Sequence, residues 1–273
     1  MSDLLTIPSA RCRIWRDGPA WNGTPAAAIG ELAFDTAGAG AALLTLAFEH
    51  LRAEGHAAVL APMNGDTWHA YRAVVESDGS AAFPLEPVSG TDDVAALVAA
   101  GFDPVADYVS SRAPVPAAAE PEPAVPGVSV RAWDGTGADA LLDRLFALAG
   151  GSFADKLFFR AIDRDAFLAL YRPLLAAVDP RLVLFAFDAT GDLAGFLFGL
   201  PDPVSGTAIL KTYAGLRPGV GHLLAHRFHQ EARRMGFAHV VHALMHVDNV
   251  SLRRSAQHQG VVFRRYSLFG RRL

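Results

Sequence analysis

A fifteen-residue stretch in the middle of the chain constrains the fold more than any other feature. Residues Ala113 to Gly127 read APVPAAAEPEPAVPG, with five of the chain's 17 prolines and no aromatic. Proline fixes φ and has no amide hydrogen to donate, so neither a helix interior nor a central strand accepts this density. The stretch predicts a semi-extended linker. It divides the 273 residues into a first domain, residues 1–112, and a second, residues 128–273. Both lengths suit an independent domain. The alternative is a long surface loop within one domain.

Hydrophobic residues make up 51% of the chain and charged residues 19%, enough apolar surface to build a core. A net charge of −4 argues against a general nucleic-acid binder. Cys12 is the single cysteine, so no intrachain disulfide forms and a reducing, cytoplasmic setting is expected. The first ten residues lack a basic region followed by an apolar stretch, so no leader is expected. The longest mostly apolar segment, residues 37–48, is too short to span a bilayer, and no membrane partner is expected. The charge is uneven. Thr207 to Leu273 carries eleven Lys/Arg, two acidic residues and seven of the ten histidines. A basic region on an acidic chain suggests a local anionic ligand or a solvated, charge-balanced surface.

Hydrophobic spacing gives the second domain the order β-α-α-β-β-β-loop-α-β-α-β. Strands are expected near 128–131, 182–187, 193–200, 208–213, 239–245 and 261–269. Helices are expected near 138–148, 163–175, 222–235 and 251–259. The first domain repeats the later part of this pattern. A strand at 29–34 leads through the loop DTAGAG into a helix at 41–54 and a strand at 56–61. Asn64 and Asn249 each follow a strand. Gly101 and Gly260 each end a helix before a tyrosine-bearing strand. A diverged internal repeat is the simplest account. The first copy has no room for the opening strand and two helices.

The segment with the most chemical content is Gly215-Leu216-Arg217-Pro218-Gly219-Val220-Gly221-His222, between a strand and a helix. Gly219 and Gly221 let backbone amides approach an anion without an intervening Cβ. The helix start adds free N–H groups and the positive end of its dipole. Arg217 adds a cationic donor. A pyrophosphate fits these groups, and an ordinary Gly/Pro turn is the alternative.

Strand, G-x-G loop, helix, strand, Asn249, short helix, Gly260 and aromatic strand together resemble the GCN5-related N-acetyltransferases (GNAT). The resemblance covers Val128 to Leu273 and is most specific from Ile209 onward. It implies an α/β (α+β) fold of two GNAT-like modules, each a mixed, mostly antiparallel central sheet flanked by helices. The first module is then degenerate. It also implies acetyl-CoA as acyl donor, held by Tyr213 and Ala214 at the strand end, by Arg217, Gly219, Val220, Gly221 and His222, and by Asn249. In the family the two central strands splay apart beside the cofactor. The implied activity is transfer of an acetyl group to an amine, on a small molecule or a protein, by direct attack in a ternary complex.

The chain departs from the family at several points. Leu216 stands where the loop usually has Gln or Arg. Ala256 stands where a tyrosine often serves as acid. The strand before the loop has no glutamate to act as base. Tyr266, on the next strand, becomes the candidate acid, and His258 faces another side of its helix. An acyl-CoA-binding protein without catalysis is therefore a second reading. A nucleic-acid module using the basic C-terminal quarter is a third. His222, His226 and His229 lie on one helix face and read as a polar solvated stripe rather than a metal site. His242 and His246 read as surface groups at strand ends. Asn64 to Trp68 reads as a turn with Asp66 or Thr67 capping a helix, or as an acceptor-site wall with Trp68, Tyr71 and Arg72.

Overall fold

The computed structural model describes residues 2–153 and 156–273. The elements are β1 (Ser2–Ile7), β2 (Ala10–Trp15), β3 (Ala27–Phe34), α1 (Ala37–Ala53), β4 (Ala58–Ala61), β5 (Ala73–Ser77), α2 (Asp93–Ala99) and β6 (Asp103–Pro114). Then follow β7 (Ser129–Ala132), α3 (Ala138–Phe153), α4 (Arg164–Tyr171), β8 (Val183–Phe187), β9 (Leu193–Asp202), β10 (Thr207–Gly215), α5 (Val220–Arg234), β11 (His239–His246), α6 (Val250–Gln257) and β12 (Val261–Arg272). Among the described residues, no helix is long and apolar enough to cross a membrane.

The chain forms two compact units. One comprises Met1–Val109, Lys156–Arg160 and Arg264–Leu273; the other comprises Ser110–Asp155 and Ala161–Phe263. Two of the boundaries fall inside β6 and inside β12, and the other two flank Lys156–Arg160. The proline-rich stretch lies within the second unit, where the sequence reading had placed a linker. Its valines explain why. Val115 and Val125 pack on the core around α5, and the Val115 amide donates to the Ala238 carbonyl at 3.0 Å. Glu122 pairs with Arg227 at 2.6 Å.

In the first unit the strand order is β1-β2-β3-β4-β12-β6, with β5 also on β12. β3 and β4 are parallel, and the β1/β2, β2/β3, β4/β12 and β5/β12 pairs are antiparallel. The β1–β2 hairpin supplies opening strands for which the sequence reading had found no room. Cys12 and Ile14 face inward there and Arg11 faces out, an alternation of period two. Helix α1 buries Gly40, Leu43, Leu44, Ala47, Phe48 and Leu51, the spacing of one helical face. That face meets Ile29, Val59, Leu97, Phe102 and Phe269. Burial pushes the Cys12 thiol up to about 12, so this thiol stays protonated.

In the second unit the order is β6-β11-β10-β9-β8-β7. β7/β8, β8/β9 and β9/β10 are antiparallel, and β10/β11 is parallel. Helix α5 lays Val220, Leu224, Phe228 and Ala232 on the sheet, against Leu184, Leu197, Ala208 and Val240. Gly199 makes room for this. A Cβ there would stand 2.2 Å from the Phe228 ring.

One irregularity in this sheet shapes the site. The β10/β11 pairing runs from Thr207↔His239 to Leu210↔His242 and ends there, although both strands continue. A register shift between Leu210 and Thr212 bends β10. On β11, Leu244 has φ of 58°, and its amide donates to Ser110 Oγ at 3.1 Å rather than continuing the ladder. The two parallel strands thus diverge towards their C-terminal ends, just before the loop that opens α5.

Candidate functional site

The loop of residues 215–219 and the start of α5 form one wall of a cleft of about 330 Å³, lined by Gly215, Leu216, Arg217, Pro218, Gly219, Gly221 and Arg254. Gly219 has φ of 85° and occupies the cap position without a side-chain cap. A left-handed cap conformation there favours glycine. The Val220 amide turns back to the Arg217 carbonyl, and the His222 and Leu223 amides to the Gly219 carbonyl. Among the described residues, the amides of Gly219 and Gly221 meet no backbone acceptor. Helix starts leave such donors for an outside partner. Close approach is built in twice. A Cβ on Gly215 would stand 2.6 Å from the Gly221 nitrogen, and one on Gly221 would stand 2.6 Å from Arg254 Nη1.

Arg254 is the residue that sequence reasoning missed. It sits on α6 and donates to the Tyr213 hydroxyl at 3.2 Å. Its guanidinium also lies 5.7 Å from the Tyr213 ring. The mobile end of this side chain therefore rests against Gly221. Among the described residues, no carboxylate lines the cleft. The bare helix start, the two glycines and the arginine suit an anion with several oxygens.

The other expected residues divide. Tyr213 anchors Arg254, and Ala214 sits in the ladder opposite Phe196. His222 lines an adjoining cleft with Val250, Arg253, Arg254 and Gln257. Val220 is fully buried and belongs to the core. Arg217 lines the loop but leans to Asp188 at 3.6 Å. Asn249 caps α6, its side chain accepting from the Ser251 amide at 3.2 Å.

Tyr266 is placed elsewhere. It belongs to the first unit and is fully buried. Its hydroxyl donates to Glu86, which also holds Arg264 at 2.5 Å. The geometry makes it a core hydroxyl serving a buried carboxylate, with no exposed face to offer a leaving group. Ala256, where the resemblance leads one to expect an acid, is exposed.

The histidine stripe is not solvated. His226 is 4% exposed and His229 is 1% exposed. His229 Nε2 lies 2.9 Å from Nε2 of His242, itself buried rather than a surface group. His242 Nδ1 meets Ser255 Oγ at 2.7 Å, and Ser255 bonds Ser111. The His229 and His258 rings stack at 4.1 Å and 9°. Burial first, and neighbouring imidazoles second, push His229 down to about 2 and His242 to about 3. Both are neutral at physiological pH. Among the described residues no group of three His, Cys, Asp or Glu side chains is arranged to hold a metal ion. The sequence reading took the stripe as solvated because helical spacing shows which residues share a face but not what packs on it, here His242 of β11 and His258 after α6.

The turn after β4 also differs from expectation, because no helix follows it. Asp66 accepts from the amides of Trp68 and His69 and from His69 Nδ1 at 2.9, 3.3 and 2.7 Å. Trp68 Nε1 donates to the Arg160 carbonyl, and Arg72 lies 3.8 Å from both the Tyr71 and Tyr108 rings. These contacts lie within the first unit.

Three solved structures similar to this chain share one fold. The GCN5-related N-acetyltransferase from Sphaerobacter thermophilus matches with a TM-score of 0.62 at 15% identity, over 97% of this chain and 76% of its own. The tandem GNAT protein from the clavulanic acid biosynthesis pathway matches with a TM-score of 0.57 at 18% identity, over 97% and 79%. An Enterococcus faecalis V583 protein described as a probable N-acyltransferase gives 0.57 at 11% identity, over 97% and 59%. No protein-family model matches the sequence, and no curated protein does. At these identities the likeness concerns the fold: mixed α/β, with a mostly antiparallel sheet flanked by helices.

Proposed function

We propose that this chain, which has the GCN5-related N-acetyltransferase fold, binds acetyl-CoA in its second unit and transfers the acetyl group to an amine. One observation carries the reading. Gly219 and Gly221, whose amides have no backbone acceptor among the described residues, line the same cleft as Arg254. A diphosphate has the charge and the oxygens to engage both. The diverging ends of β10 and β11 suit an extended, amide-bearing chain laid beside β10. The thioester supplies an activated acetyl group. The chain's own part is to fix the donor, to orient the amine and to limit water. The acceptor is an amine on a small molecule or a protein.

The exposed Ala256 and the buried Tyr266 favour a second reading, in which the cleft binds an acyl-CoA without catalysis. Two measurements separate these. Calorimetry with CoA is expected to give one site per chain, and Arg254→Gln to weaken it by about 10-fold or more, as befits a lost charge-assisted contact of about 1.5–3 kcal/mol. Release of free thiol from acetyl-CoA across a panel of amines then decides catalysis. Binding without thiol release on any amine leaves the second reading. Absence of binding removes both.

A further inference from the structure

Lysine is scarce in this chain. Only Lys156 and Lys211 occur in 273 residues. Lys156 is exposed and belongs to the first unit. Lys211 sits half-buried on β10, at the point where the sheet of the second unit opens.

The pairing of β10 fixes that point. Leu210↔His242 is its last pair with β11, so Lys211 is the first β10 residue beyond the parallel ladder. Against β9, Leu210 faces Gly199 and Thr212 faces Phe198, which leaves Lys211 as the extra residue of the register shift. Such a bulge takes side chains out of strict alternation. Leu210 and Tyr213 both pack with the core around α5, so Lys211 and Thr212 are left to the opposite face.

Covalent chemistry supplies a length to set against the strand. In acetyl-CoA about twelve bonds separate the ester oxygen of the diphosphate from the thioester sulfur, the length of about four extended residues, or roughly 13 Å. The diphosphate end of β10 is Gly215, which lines the cleft and lies beside the Gly221 nitrogen. Four residues back along the strand is Lys211. An arm laid along β10 therefore brings its thioester to the second unit's only lysine.

We propose that Lys211 is a self-acetylation site, taking the acetyl group from the chain's own bound acetyl-CoA. The inference rests on the acetyl-CoA reading above. The lone pair of deprotonated Nζ attacks the thioester carbonyl. The C–N bond forms, the C–S bond breaks, and CoA leaves as thiolate. The proton shed by Nζ goes to the thiolate, directly or through water. The products are one N-acetyl-lysine and one free CoA per chain.

The test incubates the full chain, its Lys211 unmodified at the start, with acetyl-CoA carrying an isotope-labelled acetyl group. Peptide mass spectrometry reads the label. Lys211 is expected to gain label about 100-fold faster than Lys156, because a held thioester reacts as an intramolecular partner. At saturating acetyl-CoA the rate per chain is expected to be unchanged on dilution. Gly221→Glu, or excess free CoA, is expected to drop Lys211 to the Lys156 level. Lys211→Arg is expected to remove the fast label while calorimetry still shows CoA binding. Equal labelling of both lysines overturns the proposal, as does a rate that falls on dilution or a Lys211 label that survives both Gly221→Glu and excess CoA. A chain that binds CoA but gains no label on Lys211 overturns it and leaves the acetyl-CoA reading standing. If CoA does not bind, the acetyl-CoA reading fails and the self-acetylation with it.

Discussion

The starts of α1 and α5 occupy equivalent places in the two units, each between parallel strands, and each is rich in glycine. They are built to opposite ends. At α1, Thr36 caps the helix by accepting from the Ala39 amide, and the Gly40 amide donates to the Thr36 carbonyl. A Cβ on Gly40 would stand 2.5 Å from the Phe34 ring and 2.7 Å from Ala96. At α5 the cap is a glycine with no side chain to give, and what faces Gly221 is a guanidinium. Glycine at a helix start therefore says only that something comes close. Hydrocarbon opposite it makes a packing position; a cation opposite it, with free amides, makes a binding position.

The comparison breaks first under a pair of substitutions. Gly221→Glu puts a side chain against Arg254 and a negative charge beside the amides. It is expected to abolish CoA binding, with a loss of about 100-fold or more, while the chain stays folded. Gly40→Ala is expected to lower stability by about 1–3 kcal/mol through overpacking against Phe34 and Ala96, leaving CoA affinity unchanged. Urea unfolding and calorimetry read the two effects separately. If Gly40→Ala weakens CoA binding in a folded chain, the first unit has a part in the site that this contrast denies it.

Much of the second unit was legible in the sequence, because its signals are local. The apolar stripe Leu224, Phe228, Ala232 marks α5, and the loop glycines mark its start. Contacts between distant segments were not legible. Arg254 lies 33 positions from Gly221, and only the path of β11 into α6 brings them together. Likewise β6 and β12 each read as one strand of one domain, yet each crosses from one unit to the other. Period alone does not tell which unit a strand ends in. The histidines on α5 were misread for the same reason. A polar face on a helix implies solvent only when nothing covers it.

Those histidines set a second contrast, in acid. His229 and His242 are buried neutral, facing each other, His226 on α5 and His258 after α6, with Glu120 and Glu122 of the proline-rich stretch acting on His226. Their folded values lie below the ordinary 6.5. The unfolded chain therefore takes up protons that the folded chain refuses. Stability is expected to be level above about pH 7 and to fall below about pH 6.5, by about 1.4 kcal/mol per pH unit for each histidine. In the first unit, the hydrogen bond to Asp66 raises His69, which has the opposite sign. Its contribution is present below the unfolded value and is lost as pH rises through the folded one. Urea unfolding between pH 7.5 and 5.0 is expected to show the fall, and His229→Gln to flatten it. His69→Gln is expected to leave it in place. A slope unchanged by His229→Gln assigns the acid sensitivity to other groups.

Tyr266 sharpens the contrast in function. Its hydroxyl donates to Glu86 inside the first unit, so Tyr266→Phe removes a hydrogen bond to a buried carboxylate. The expected cost is about 1.5–3 kcal/mol of stability. CoA affinity and kcat of any acetyl transfer are expected to stay at the wild-type level. A tenfold fall in kcat, with stability unchanged, returns this tyrosine to the role of acid.

The smallest effect tests the closed helix start directly. Thr36→Ala deletes the oxygen that receives the Ala39 amide at 3.2 Å. Loss of such a cap costs about 1 kcal/mol. The freed amide is next to Gly38 and Gly40, so the variant leaves a glycine-rich helix start with unpaired donors, as at α5. It still has no equivalent of Arg254, because the atoms nearest a Cβ on Gly40 are carbons of Phe34 and Ala96. Amides without a cation are therefore expected to gain nothing: CoA titration should still give one site per chain. A second site in Thr36→Ala would mean that free amides and glycines alone suffice. The arginine on α6 would then be an accessory to the binding site rather than the feature that distinguishes it.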